Sequence, residues 1–414
     1  MGAFTLVCLS CGREHEEFRM RCQDGCDALL RARYAARSFR PAAAESLFKF
    51  SDWLPCQGSV ETGIGPVVYE CGALGRKLGL ERLYAAFNGY WPERGAYNST
   101  GTFKDLEALP TVLAFREHGK RRILLSSAGN TARAFAHAVQ VVDGFEVILV
   151  VPEGMLHRLW LPGGDRTGQV KLVAVQGSQD YYEAITLGDE IARRYGLDVE
   201  GGARNVARRD GMGTVMLEAA RLLGRLPDHY VQAVGSGTGG IAVYEAALRL
   251  RQDSRFEDQP LPRLHLGQNA PFLPIHHAWT NGQRIDPERC KGVSEQVYAS
   301  VLANRNPPFG MAGGVAEALR ESRGATYAVE TPEAEEAARS FERLEGIDLE
   351  PAAAVAVAVL RQAVEAGAIR RDELVLLNLT GGGLERIRRD FDCVPLEPVL
   401  RAAPGSVEEV ASIL

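Results

Sequence analysis

The sequence lacks an apolar run near the ~18 residues that a helix needs to cross a bilayer, so no membrane-spanning segment is expected. It lacks a basic excess. Its 47 Lys and Arg face 53 Asp and Glu, for a net charge of −6 at pH 7, and such a balance does not draw a chain onto a nucleic-acid backbone. Arginine pairs such as Arg121-Arg122 and Arg208-Arg209 read as solvated surface features. The opening MGAFTLVCLSCGREH has no basic stretch followed by a long apolar core, so a cytoplasmic protein without a secretory signal is expected. No internal repeat is present, and the alanine-rich stretch 352–358 requires only good helix propensity. Of the eight cysteines, Cys56, Cys71, Cys290 and Cys393 are scattered, which argues against a disulfide scaffold.

The chain has 414 residues, 46 % hydrophobic and 24 % charged, enough for two or three units around substantial cores. The other four cysteines, Cys8, Cys11, Cys22 and Cys26, lie within the first 34 residues. Two tight cysteine turns can offer four thiolates to a tetrahedral zinc ion, and so short a segment would gain shape from a metal. Zinc-bound and empty ribbons both remain open, since the second pair is Cys-x3-Cys beside acidic residues. From about residue 80, short β-rich runs alternate with helical periodicity. Strands are expected at 123–127, 146–151, 171–175, 229–235, 263–267, 326–330 and 373–379. Helices are expected from Asn130 and over 181–196, 214–224, 332–345 and 351–367. This alternation implies parallel sheets covered by helices through right-handed crossovers. The stretch 270–325 reads as loop-rich.

Four segments carry chemistry. In Asn98-Ser99-Thr100-Gly101-Thr102-Phe103-Lys104-Asp105, a lysine lies between small polar residues and a phenylalanine, before an apolar helical stretch at 106–115. Burial there would depress the amine and make it nucleophilic toward an aldehyde. Ser126-Ser127-Ala128-Gly129-Asn130-Thr131 follows a strand and opens a helix, where free N–H groups favour an anion. Gly235-Ser236-Gly237-Thr238-Gly239-Gly240 has the same placement and suits a phosphate. It lacks the spacing of a dinucleotide fingerprint and the Lys-Ser/Thr of a nucleotide P-loop. Thr380-Gly381-Gly382-Gly383 ends a late strand. Alone, the lysine reads as a solvated surface charge, the serine–asparagine segment as a helix cap and the last segment as a turn, and the glycine loop is a weak signal.

Together, and in this order, they resemble the threonine-synthase family of fold-type-II pyridoxal-phosphate (PLP) enzymes over about residues 61–383. The resemblance implies an α/β fold like that of the tryptophan synthase β chain. It has two open, twisted, mostly parallel sheets with helices on both faces, here preceded by the cysteine ribbon. It implies a ribbon at 1–34, a large PLP-binding domain at 35–110 and 213–414, and a small mobile substrate domain at 111–212. It gives Lys104 to the cofactor's Schiff base and to proton transfer, and Asn130 to the phenolic oxygen. Gly235, Ser236, Gly237, Thr238 and Gly239 would hold the cofactor phosphate, and Thr380 would meet the ring nitrogen. A neutral hydroxyl there weakens the electron sink and favours elimination–addition over transamination. Ser127, Ala128, Gly129 and Thr131 would hold the substrate carboxylate. Arg208, in Asn205-Val206-Ala207-Arg208-Arg209-Asp210-Gly211, would grip a substrate phosphate through its guanidinium fork. The family's helix start also resembles Glu345-Gly346-Ile347-Asp348-Leu349-Glu350-Pro351, and a homodimer or larger assembly is implied.

Departures bear on the substrate. The family's Lys-Asp-Arg-Gly is Lys104-Asp105-Leu106-Glu107 here, and its Gly-Gln-Lys-Thr is Gly211-Met212-Gly213-Thr214. With the lead-in 88–97 and the four cysteines, these resemble the branch of the family that joins sulfite to O-phospho-L-serine by β-replacement. O-phospho-L-homoserine and water, sulfide in place of sulfite, or a non-catalytic zinc-ribbon platform are the competing expectations. His157, Arg158, His276 and His277 are all candidates to hold sulfite.

Overall fold

The computed structural model describes residues 4–127, 129–177, 181–290, 292–293 and 296–414. Strands buried along their whole length, such as Leu374–Leu379 and His229–Ala233, are what parallel sheets covered on both faces require. They build a six-stranded sheet in the order Ala325–Val329, Arg263–Asn269, His229–Ala233, Leu374–Leu379, Arg82–Phe87, Val67–Glu70. Every pair is parallel except the last. Helix Pro351–Glu365 and Phe341 cover one face, against Val231, Val375, Leu377 and Leu379. Helices Lys104–Glu117, Val206–Leu223 and Thr238–Leu250 contribute to the core on the other side. The strand–helix alternation expected from the sequence is present from residue 82 onward.

A second sheet is wholly parallel, in the order Leu400–Ala402, Val170–Val175, Glu146–Pro152, Arg122–Ser126. Its edge strand differs from expectation. Residues 393–402 were expected within the large unit, but Cys393–Pro395 pairs with Trp160–Pro162, and Leu400–Ala402 pairs with 173–175. Val407 and Val410 then close the small core beside Leu124, Ile148 and Val173. The apolar face of that sheet needs cover, and the end of the chain supplies it. The expected boundaries at 110 and 212 also fall inside helices Lys104–Glu117 and Val206–Leu223, and both helices run through unbroken. Among the described residues no helix is long and apolar enough to cross a membrane.

The N-terminal residues form a three-stranded antiparallel sheet of Phe4–Cys8, Glu14–His15 and Leu30–Tyr34. It docks on helix Val206–Leu223. Tyr34 donates to Asp210 at 2.6 Å, and Asp210 is held in turn by Arg249 at 2.6 Å. Arg209 is fully buried, with Glu245 at 2.8 Å and the Leu30 carbonyl as partners. The solvated reading of Arg208-Arg209 is therefore corrected: both side chains are interior, because Glu245 meets Arg209 while Glu107 and Glu200 meet Arg208, and these carboxylates neutralise them. Arg209→Met is expected to cost roughly 3 kcal/mol or more, because Glu245 and the Leu30 carbonyl would lose a buried partner. Urea unfolding of the two proteins checks this.

Candidate active site

The segments singled out in the sequence converge at the carboxyl ends of the two sheets, where open α/β sheets bind ligands. Strand Leu374–Leu379 ends in Thr380, whose carbonyl accepts from Phe103 N–H at 3.0 Å. Gly382 N–H donates to the Gly101 carbonyl at 3.0 Å, Tyr90 N–H to the Gly382 carbonyl at 3.1 Å, and Glu350 N–H to the Gly381 carbonyl at 3.1 Å. Glycine is required in this weave. Gly383 has φ +71°, and a Cβ on it would lie 1.9 Å from the Tyr90 carbonyl oxygen. Lys104 is thereby set at the first position of helix Lys104–Glu117.

The Lys104 side chain is only 19 % exposed; its Nζ lies 3.3 Å from Glu107 Oε2 and 4.8 Å from the Phe103 ring centre. Burial pulls its ammonium below the usual lysine range, against the attraction of Glu107. Glu107 is fully buried and also holds Arg208 Nε at 3.1 Å. Arg208 Nη1 meets Glu200 Oε2 at 2.8 Å. Arg208 thus stands beside the lysine, between two carboxylates, on a helix capped by the Asn205 side chain.

Asn130 opens helix Asn130–Val141. Its Oδ1 accepts from Arg133 at 3.0 Å and its Nδ2 donates to Glu350 at 3.0 Å. Arg133 also donates to the Thr100 carbonyl at 3.1 Å and lies 4.5 Å from the Trp160 ring centre. Burial lowers Arg133 to about 10. The cation thus fixes which end of the amide faces Glu350. Ser127 is buried, and its hydroxyl accepts from Ala132 N–H at 3.3 Å. Gly129 precedes the helix and Thr131 is partly buried in its first turn. Ala128 lies outside the described residues.

The glycine loop leads from strand His229–Ala233 into helix Thr238–Leu250. Gly237 caps that helix with φ +77°, and the Ser236 and Thr238 hydroxyls are 2.7 Å apart. Gly239 lies in the helix's first turn. A Cβ on Gly235 would come within 2.8 Å of the Leu302 carbonyl. The loop-rich stretch thus reaches the site: Leu302 touches the glycine loop, Val301 faces Gly129, and Ser300 accepts from Arg158 at 3.1 Å. His276 instead contacts Thr326, on the edge strand of the large sheet, and His157 is exposed and bonds the Gly154 carbonyl.

Sequence reading missed Glu107, Glu200, Arg133 and Glu350 as site residues. Glu107 and Glu350 were quoted within motifs, and the departure from glycine at 107 was a signal. Glu200 and Arg133 carried none.

The residues fit PLP. The buried Thr380 hydroxyl has no hydrogen-bond partner among the described residues, and so buried a polar atom calls for one. The ring nitrogen of PLP would supply it. A depressed lysine, a helix N-terminus with φ-positive glycine, and an oriented asparagine amide match its aldehyde, phosphate and phenolic oxygen. Fold and site together define a fold-type-II PLP enzyme. The family described as "Pyridoxal-phosphate dependent enzyme" matches residues 77–381, and the chain belongs to it. Its relatives include proteins named cysteate synthase. That of Methanocella paludicola is 48 % identical over 97 % of this chain and 94 % of its own. That of Methanosarcina barkeri is 48 % identical over 97 % of each. Solved structures share the fold at low identity. Diaminopropionate ammonia lyase of Escherichia coli has a TM-score of 0.59 at 17 % identity, covering 80 % of this chain and 87 % of that one. An L-serine ammonia-lyase of Rhizomucor miehei has a TM-score of 0.60 at 15 % identity, covering 81 % and 100 %.

A depressed amine is neutral, and reactive, at a lower pH than an ordinary lysine. Borohydride reduction of the protein with PLP at about pH 7.5, where ordinary lysines are protonated, is expected to tag Lys104. Peptide mapping checks it, and Lys104→Ala is expected to abolish the tag.

Proposed function

We propose that this enzyme converts O-phospho-L-serine and sulfite into L-cysteate and phosphate, the sulfonate-forming step of coenzyme M biosynthesis. The observation that carries this reading is the near-full-length identity, 48 %, to proteins named cysteate synthase. The retained lysine, asparagine, glycine loop and terminal threonine support it. PLP, when bound, supplies the electron sink that makes the substrate's α-hydrogen acidic and its β-substituent replaceable.

The chain's own residues do the rest. Lys104 binds the cofactor and, once released by the substrate amine, takes the α-hydrogen as a proton and later returns it. The Asn130 amide, oriented by Arg133, would hold the phenolic oxygen. The N–H groups of the loop from Gly235 to Gly239 and the Ser236 and Thr238 hydroxyls would hold the cofactor phosphate, and Thr380 the ring nitrogen. Ser127, Ala128, Gly129 and Thr131 would bind the substrate carboxylate at a helix N-terminus, where the backbone donors favour an anion. Arg208 would share its guanidinium between Glu200 and the substrate phosphate. Carboxylate binding would draw the four-stranded sheet toward the large one and exclude water that would otherwise divert the reaction toward pyruvate. A cytoplasmic homo-oligomer completes the reading.

The ribbon cysteines fit a structural metal. The Sγ atoms of Cys8, Cys11, Cys22 and Cys26 lie within 4.8 Å of one another, a spacing that thiolates around one tetrahedral zinc ion adopt. We assign a structural zinc to them.

Two measurements test these readings. Purified protein with PLP is expected to release phosphate and form cysteate from O-phospho-L-serine plus sulfite, and not to release phosphate from O-phospho-L-homoserine in water. The reverse pattern would make it a threonine synthase. Metal analysis is expected to find about one zinc per chain. Its removal by a chelator is expected to lower the melting temperature by several degrees while the absorbance of the lysine-bound cofactor persists.

A further inference from the structure

At this lysine stands a carboxylate that the family pattern does not provide. Glu107 is wholly buried, one helical turn beyond Lys104. Its Oε2 is shared between Lys104 Nζ at 3.3 Å and Arg208 Nε at 3.1 Å. Its Oε1 is buried with no hydrogen-bond partner among the described residues. Such an atom is costly to leave unmet unless the working enzyme provides a partner. Glu200 holds the far side of the Arg208 guanidinium at 2.8 Å, so that cation has a counter-charge without Glu107. The threonine-synthase pattern has glycine at this position.

The proposed chemistry makes a demand there. When the Cβ–O bond of O-phospho-L-serine breaks, the phosphate oxygen keeps the bonding pair. It leaves as a trianion unless it is given a proton.

We propose that Glu107 donates the proton to the departing phosphate and accepts one from the incoming bisulfite. This rests on the substrate reading above. In the first half, Lys104 takes the α-hydrogen as a proton. The electron pair left on Cα closes the Cα–Cβ double bond as the Cβ–O bond breaks. The phosphate oxygen keeps its pair and takes the Glu107 proton. The resulting carboxylate lies between the Lys104 ammonium and Arg208, in the arrangement of side chains seen here. In the second half, bisulfite gives its proton to Glu107, its sulfur lone pair forms the C–S bond, and Lys104 returns its proton to Cα. The sum is O-phospho-L-serine plus bisulfite giving L-cysteate plus hydrogenphosphate, with no proton left over. Burial pushes the Glu107 carboxyl upward, against the pull of Arg208 and Lys104, in the direction that an acid working near neutrality needs.

The test compares wild type with the isosteric Glu107→Gln on two substrates. One is O-phospho-L-serine. The other is β-chloro-L-alanine, whose chloride leaves without a proton. Phosphate release is expected to fall about 100-fold or more, the usual range for a lost general acid. Chloride release, followed in a single turnover without sulfite, is expected to fall far less, so that the ratio of the two rates changes at least about tenfold, since chloride departure asks nothing of the acid. A readout apart from turnover is the pH titration of the lysine-bound cofactor's absorbance. Losing a negative charge 3.3 Å from Nζ shifts that titration to lower pH. Glu107→Asp, which keeps an acid, is expected to recover part of the phosphate release. It also stands in should the glutamine variant fold poorly. Equal losses on both substrates, or unchanged phosphate release, would overturn the proposal. Absence of phosphate release by wild type would instead overturn the substrate reading itself.

Discussion

The site depends on a backbone clasp. The turn Thr380-Gly381-Gly382-Gly383 is hydrogen-bonded on one side to the loop that carries Lys104 and on the other to the residues that open helix Pro351–Glu365. One short turn thereby fixes the lysine, the threonine hydroxyl and Glu350 relative to one another. No side chain could occupy that weave, because backbone passes within van der Waals distance on both sides. Lys104 is held by main-chain bonds through Phe103, so its position does not rely on its own long side chain.

Around this clasp the charges are arranged in two buried groups. Arg133, Asn130 and Glu350 form one; Lys104, Glu107, Arg208 and Glu200 form the other. The first fixes which way the Asn130 amide faces. The second surrounds the reactive amine. Buried charges persist only when paired, and here each cation has a carboxylate or a carbonyl within hydrogen-bond distance. The pairing leaves a few deliberate gaps, Thr380 Oγ1 and Glu107 Oε1 among them, and the gaps are where chemistry is expected.

Much of this was legible in the sequence. Hydrophobic runs and glycine punctuation located the parallel strands and their loops, because period and turn chemistry are local properties. The lysine, serine–asparagine, glycine and threonine segments converge as the family resemblance implied. Arg209 was misread, since nothing near it in sequence announces Glu245 or the Leu30 carbonyl that bury it. The placement of strand Leu400–Ala402 on the small sheet was missed for the same reason. Which sheet a short strand joins is decided by an exposed edge far away in the chain. The role of Glu107 lay in a departure from pattern, and only the fold shows that the departure touches the lysine.

The path of the chain end has a mechanical corollary. The four-stranded sheet is joined to the rest at three covalent crossings: after helix Lys104–Glu117, before helix Val206–Leu223, and between Asp390 and the pairing strand Cys393–Pro395. A body on two tethers can still turn about the line between them. A third tether takes up part of that freedom, so the end of the chain holds the four-stranded sheet more closely to the rest than two crossings would.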